Sequence, residues 1–173
     1  CQHPRRAPTA RFTIRCAGER LTYRGRPLVM GVLNVTPDSF SDGGAFLDPD
    51  AAVRRGVQMA REGADLIDIG GESTRPGAPG VPLEEELRRV LPVIRRLRDA
   101  VRVPISIDTS KAEVAHQAIQ AGASVVNDVT ALRGDAAMAA VAARGNAAVI
   151  LMHMRGSPRT MQQSPRYHDV VGE

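Results

Sequence analysis

Three times along this chain an Ala- and Arg-rich amphipathic stretch ends at a glycine, passes one or two small residues and enters a β-branched apolar run. The junctions are Arg61-Glu62-Gly63-Ala64-Asp65 before 66–69, Gln120-Ala121-Gly122-Ala123 before 124–129, and Ala143-Arg144-Gly145-Asn146 before 147–152. Glycine suits the left-handed position just past a helix end, where a side chain would be strained. Each junction therefore predicts a helix returning into a strand. Further apolar runs at 28–35 and 104–109 raise the count to five candidate strands. The helical patterns between them cover 50–62, 83–100, 110–121 and 135–144, with Pro92 expected to kink or divide the second. Pro49 and Pro82 lie near helix starts, where a missing N–H is harmless. Such alternation gives parallel strands joined by right-handed crossovers.

The α/β class leaves two architectures. A doubly wound sheet should carry a Gly-rich phosphate fingerprint after its first strand, but Val35 is followed by Thr36-Pro37-Asp38. A (β/α)8 TIM barrel needs eight strands and about 250 residues. The expected architecture is thus a barrel of which this chain carries the first five βα units. Residues 12–23, with Ala17-Gly18-Glu19 between two β-prone runs, predict an N-terminal hairpin at the barrel bottom. The chain divides into a tail and hairpin over 1–27 and a partial barrel domain over 28–173.

A length of 173 residues suffices for one core. Hydrophobic content of 43% and charged content of 24% describe a soluble globular domain. Aromatic residues make up 3%, and there is no Trp, which excludes a stacking platform for single-stranded nucleic acid. The formal charge of +4 rests almost wholly on arginine, because Lys111 is the only lysine. Arg88, Arg89, Arg95, Arg96 and Arg98 are expected on a solvated helix face, so no nucleic-acid partner is expected. No apolar run approaches a membrane span, so no membrane association is expected. Cys1 and Cys16 have neither metal nor disulfide spacing, which suits a reducing, cytoplasmic compartment.

Chemistry concentrates at the carboxyl ends of the predicted strands. The segments 34–44 and 70–77 bring together hydroxyls, carboxylates, an Asn, an Arg and several Gly. That inventory holds a phosphate and a divalent cation. Thr-Pro-Asp and Thr-Arg-Pro-Gly are also ordinary turn sequences, but two such loops at equivalent points of a repeat favour function. Asp108 and Asn127 fall at strand ends, where burying an unpaired polar group costs several kcal/mol. Asp108 could cap the next helix, yet Thr109 or Ser110 is better placed, which leaves Asp108 exposed at the barrel mouth. Asn127 both donates and accepts, as the edge of a heterocycle requires. Met152 offers a polarizable surface to a flat ring, and His153 beside it is expected as a hydrogen-bonded wall residue.

The strings GVLNVTPDSFSDGG, DIGGESTRPGA, PISIDTSKAEVA, NDV and LMHMRGSP, in this order, closely resemble the dihydropteroate synthase family of folate biosynthesis. The resemblance runs from Leu28 onward and implies a TIM barrel. It also implies condensation of 6-hydroxymethyl-7,8-dihydropterin pyrophosphate with 4-aminobenzoate, releasing pyrophosphate, with Mg²⁺ as cofactor and a homodimer as the assembly. Under it, Asp108 and Asn127 bind the pterin, with Ile150 and Met152 lining the pocket. Asn34 contacts Mg²⁺ and pyrophosphate, and Asp42 assists at the metal. Thr74 and Arg75 face the pyrophosphate, and Phe40 and Pro76 close on 4-aminobenzoate. The family's DPGxGFxK-like loop, pocket lysine and terminal Arg-x-His pair have no counterpart here, so this chain alone is expected to be an inactive fragment. Two other classes share parts of the pattern: a corrinoid-type pterin-binding methyltransferase domain, which has no use for a pyrophosphate site, and a non-catalytic pterin-binding paralogue.

Overall fold

The computed structural model describes residues 12–36, 48–72, 80–156, 160–162 and 164–172. Its first element is the hairpin β1 (Phe12–Cys16) and β2 (Glu19–Tyr23), antiparallel with Phe12 opposite Tyr23. Ala17 and Gly18 both have positive φ, 43° and 92°, as a two-residue turn matched to strand twist requires. Cys16 and Leu21 are buried with Leu66 and Val125, and Ser124 Oγ donates to Glu19 Oε2 at 2.7 Å. The hairpin thus closes one end of the main sheet.

That sheet alternates with helices: β3 (Met30–Asn34), α1 (Pro49–Arg61), β4 (Leu66–Gly70), α2 (Leu83–Ala100), β5 (Ile105–Asp108), α3 (Ala112–Ala121), β6 (Val125–Asp128), α4 (Met138–Arg144) and β7 (Ala148–Leu151). The five strands are parallel and hydrogen-bonded in the order β3-β4-β5-β6-β7. α1 packs on α2, α2 on α3 and α3 on α4. Sequential strand order under one continuous helical layer is single winding, whereas a doubly wound sheet reverses order and carries helices on both faces. The expected barrel topology is therefore the one observed.

Strand alternation separates two faces. Leu33, Ile69, Ile107 and Val126 align across β3 to β6 and are buried against Val90, Leu97, Ala115, Ala118 and Met138. Each large side chain so buried contributes about 1.5–3 kcal/mol. The opposite face carries Met30, Val32 and Asn34 on β3, with Asp68, Ser106, Asp108 and Asn127 in register beyond them.

Helix boundaries differ from expectation where packing overrides local signals. α2 runs unbroken through Pro92. A proline costs about 3 kcal/mol inside a helix, but Val90, Val93, Ile94 and Leu97 are fully buried around it, and their combined burial outweighs that cost. α3 begins at Ala112 and α4 at Met138, later than predicted. Asp135 joins neither helix; its carboxylate accepts Ala112 N–H and Ala137 N–H, both at 2.9 Å. Gly63 and Gly122 occupy left-handed positions, but Gly145 stays helical at φ −77° and Asn146 takes the turn at φ 50°. Asparagine tolerates that conformation because its short amide bonds locally. Among the described residues no helix is long and apolar enough to cross a membrane.

Candidate active site

The carboxyl ends of the strands place Asn34, Gly70, Asp108, Asn127 and Ile150 in one register line across all five strands. Four of these five are residues singled out in the sequence. Gly70 leaves the gap between them: a Cβ there would lie 3.6 Å from Asp108 Oδ2 and 3.7 Å from Asn34 Oδ1. The Asp108 and Asn34 side chains therefore converge over a bare stretch of backbone, where a flat ligand can approach. Met152 follows β7 and is half-buried, with its N–H donating to Asp128 O at 3.4 Å. Phe40, Asp42, Thr74, Arg75 and Pro76 lie outside the described residues.

One layer below stand Val32, Asp68, Ser106, Val125 and Ala148. Asp68 is 2% exposed and accepts from Asn127 Nδ2 at 3.0 Å. Burial pushes its carboxyl above the ordinary range, against the pull of its hydrogen-bond donors. Asp68 Oδ1 and Asp108 Oδ1 are both buried without a hydrogen-bond partner. Asp108 is pushed up to about 7, first by burial and then by the charges of Asp68, Glu86, Asp128 and Glu72. Asp108 is therefore half-buried among carboxylates, and not the exposed mouth residue expected. The Ser106 hydroxyl, also buried and unpartnered, stands opposite Asp68, so Asp108 Oδ1 is the acceptor left for a ligand; beside the Asn127 amide it makes a receptor for a planar edge that carries N–H groups.

Asp128 is adjacent to Asn127 in sequence but turns the other way. Its carboxylate takes Thr130 N–H and Thr130 Oγ at 2.8 Å and Leu132 N–H at 2.9 Å. It organises a loop in which Ala131 and Leu132 have positive φ. His153 is exposed and meets the Tyr167 ring at 5.4 Å between centroids, so it does not line this face.

Four polar residues beside the site were not assigned to it from sequence. Asp68 carried the same signal as Asp108, a carboxylate inside an apolar strand. Arg89, expected on a solvated face, is largely buried and donates to Gly71 O at 2.8 Å. Glu86 is fully buried on α2, and Lys111 bonds both it and Glu72. Pairing between residues this distant has no local sequence signature. Among the described residues no group of three or more His, Cys, Asp or Glu side chains is placed to hold a metal ion.

Comparison with known proteins matches residues 30–173 to the family described as "Pterin binding enzyme". The chain belongs to the pterin-binding enzyme family. Within that family it is 53% identical, over 148 residues, to the dihydropteroate synthase of Synechocystis sp., covering 86% of this chain and 51% of that protein. The structure of Xanthomonas albilineans dihydropteroate synthase with 4-aminobenzoic acid superposes with a TM-score of 0.81 at 53% identity, covering 92% of this chain and 56% of the other. That of Burkholderia cenocepacia dihydropteroate synthase with 7,8-dihydropteroate gives 0.78 at 47% identity, covering 92% and 53%. The chain spans about half the length of the curated relatives it matches. The pterin-binding family and the parallel α/β architecture anticipated from sequence are both met.

Proposed function

We propose that the full-length protein is a dihydropteroate synthase, joining 6-hydroxymethyl-7,8-dihydropterin pyrophosphate to 4-aminobenzoate with release of pyrophosphate. The observation that carries this reading is the convergence of Asn34, Asp108 and Asn127 at one level of the sheet, with Ile150 as an apolar flank. The pterin's pyrimidine edge presents N–H donors next to a carbonyl. Asp108 has a free acceptor oxygen for the donors, and the Asn127 amide, anchored through its Nδ2 to Asp68, adds a carbonyl oxygen and its second N–H. Ile150 and Met152 offer apolar contact to the ring.

As pyrophosphate departs, positive charge develops on the pterin methylene, and the carboxylates around Asp108 favour it electrostatically. No nucleophilic side chain is needed: the amine of 4-aminobenzoate is the nucleophile, and the protein positions and desolvates the reactants. Thr74 and Arg75 would receive the pyrophosphate, and Phe40 and Pro76 the aminobenzoate ring, by their positions in the matching motifs. Mg²⁺ suits this donor set, because it takes one or two protein oxygens and otherwise water and phosphate. Asn34 Oδ1 and Asp42 would hold it, and when bound it would neutralise the leaving anion. The family resemblance supports a cytoplasmic homodimer as the working form.

The test is formation of dihydropteroate from radiolabelled 4-aminobenzoate by the full-length protein, with pterin binding followed by calorimetry. Asp108→Ala should weaken pterin binding by about 1–3 kcal/mol or more, the cost of leaving buried donors unpaired. Unchanged pterin affinity would remove Asp108 from the site.

A further inference from the structure

On the inner face of the sheet one carboxylate reaches past a neighbouring strand to hold an amide at the ligand level. Asp68 on β4 accepts from Asn127 Nδ2 on β6 at 3.0 Å, although β5 runs between those two strands. The β5 residue at the level of Asp68 is Ser106, fully buried and small enough for the two longer side chains to meet over it. Its hydroxyl faces the same carboxyl and, with Asn127, opposes the upward push of burial on it.

The arrangement is a poor device for stability alone. Asp68 is almost wholly buried, and burial still raises its carboxyl above the ordinary range. Apolar side chains of the same volume would commonly join β4 to β6 at least as well as a desolvated carboxylate does. What a carboxylate can do, and an apolar side chain cannot, is choose between the two ends of an amide. Carboxylate oxygens only accept, so Asn127 turns its nitrogen toward Asp68 and its oxygen away. The two orientations of an asparagine amide have nearly the same shape and differ only in what they bond. Asn127 stands in one register line with Asn34, Asp108 and Ile150, so its orientation decides the pattern that a ligand meets there.

We infer that Asp68 is a positioning residue that sets specificity: by holding one N–H of Asn127 it presents the other N–H and Oδ1 to the ligand in a fixed order, and so selects a ring edge whose acceptor and donor follow the matching order. This deepens the dihydropteroate synthase reading and rests on its pterin site. Asp68 itself touches no reactant. Its loss should therefore be felt as lost discrimination between ring edges.

The test compares Asp68→Asn with wild type in the full-length protein. Asparagine keeps the shape of the side chain but offers Asn127 either a carbonyl or an N–H, so both orientations of Asn127 become satisfiable. Calorimetry gives Kd for 6-hydroxymethylpterin, for its analogue with oxygen in place of the 2-amino group, and for its analogue with an amino group in place of the 4-oxygen. Each replacement reverses donor and acceptor along one side of the pyrimidine edge. Wild type should prefer the pterin to at least one analogue by about 10-fold or more. Asp68→Asn should shrink that preference by about 5-fold or more, with Tm showing that the variant is folded. Asp108 is the same in both proteins and contributes equally to each preference. Should the variant fail to fold, hydrogen exchange of the Asn127 side-chain amide in ligand-free wild type decides: held by a buried carboxylate, it should exchange about 10-fold or more slowly than an exposed asparagine. A preference unchanged by Asp68→Asn, no preference in wild type, or exchange at the rate of an exposed amide would overturn the inference while leaving the enzymatic reading intact. Failure of wild type to bind the pterin would overturn both.

Discussion

Folding moves the Asp108 carboxyl out of water and into the field of Asp68, Glu86, Asp128 and Glu72, and its pKa rises to about 7. The unfolded chain releases that proton near pH 4, so between about pH 4 and 7 the native state binds more protons than the unfolded state. Stability therefore falls as pH rises through this window, and the penalty is complete above pH 7. At about 1.4 kcal/mol per tenfold change in proton affinity, the penalty has an upper bound of about 4 kcal/mol, which partial exposure of the side chain reduces. Asp108→Asn removes it. In the full-length protein the Asn variant should melt above wild type at pH 8, and the two should converge below about pH 4. Melting curves across that range check the sign, and a variant no more stable than wild type at pH 8 would mean that Asp108 has found a compensating cation. The same substitution should weaken pterin binding, so the site carries a stability cost that its ligand relieves.

At the scale of elements, close approach between helices decides what glycine is for. Gly56 lies inside α1 and is buried; a Cβ there would come within 2.8 Å of both Leu97 methyls on α2 and 3.4 Å of Leu33. Alanine gains about 1 kcal/mol of helix propensity, but overpacking a closed core costs about 1–3 kcal/mol. Leu97 is fully buried and cannot swing into solvent. Gly56→Ala should therefore destabilise by up to about 2 kcal/mol net in denaturant unfolding, and a rise in stability would show that Leu97 can repack. The elements themselves were legible because each is set by a local pattern: the apolar period of α2, the run of buried residues in β4, the turn at Ala17-Gly18. Their edges were less so. Gly145 gave way to Asn146, and Asp135 left its helix to hold Ala112 and Ala137. In the site, Asp108 and Asn127 could be found because polar residues at strand ends announce themselves in single segments; Asn34 stood out only within a polar loop, and Ile150 was implied only by the family resemblance. Asp68 had the same signal and was passed over within Leu-Ile-Asp-Ile-Gly. Arg89, Glu86 and Lys111 draw their meaning from partners 18 to 39 positions away, which no local pattern encodes.

For the whole molecule the main question is what becomes of the sheet's two edges. Among the described residues β3 pairs only with β4, and β7 only with β6. At β3 the inner face is uncovered, with Met30 36% and Val32 51% exposed; at β7 it is the outer face, with Val149 42% and Leu151 49% exposed. Such edges present unpaired backbone donors and acceptors beside apolar side chains, a template for pairing with another chain. The curated relatives extend to about twice the span matched here. In a closed barrel further strands would pair both edges and further helices would cover Val149 and Leu151. The 173-residue polypeptide expressed alone should then associate without limit and bind an apolar dye, whereas the full-length protein should stop at a discrete dimer and bind no such dye. It should also form no detectable dihydropteroate, because the ring of groups around Asp108 is drawn from five strands of an eight-strand plan. Size-exclusion chromatography with light scattering, followed by the aminobenzoate assay on the same fractions, decides the matter. A monodisperse monomer that makes product would show that five βα units suffice for both the core and the chemistry.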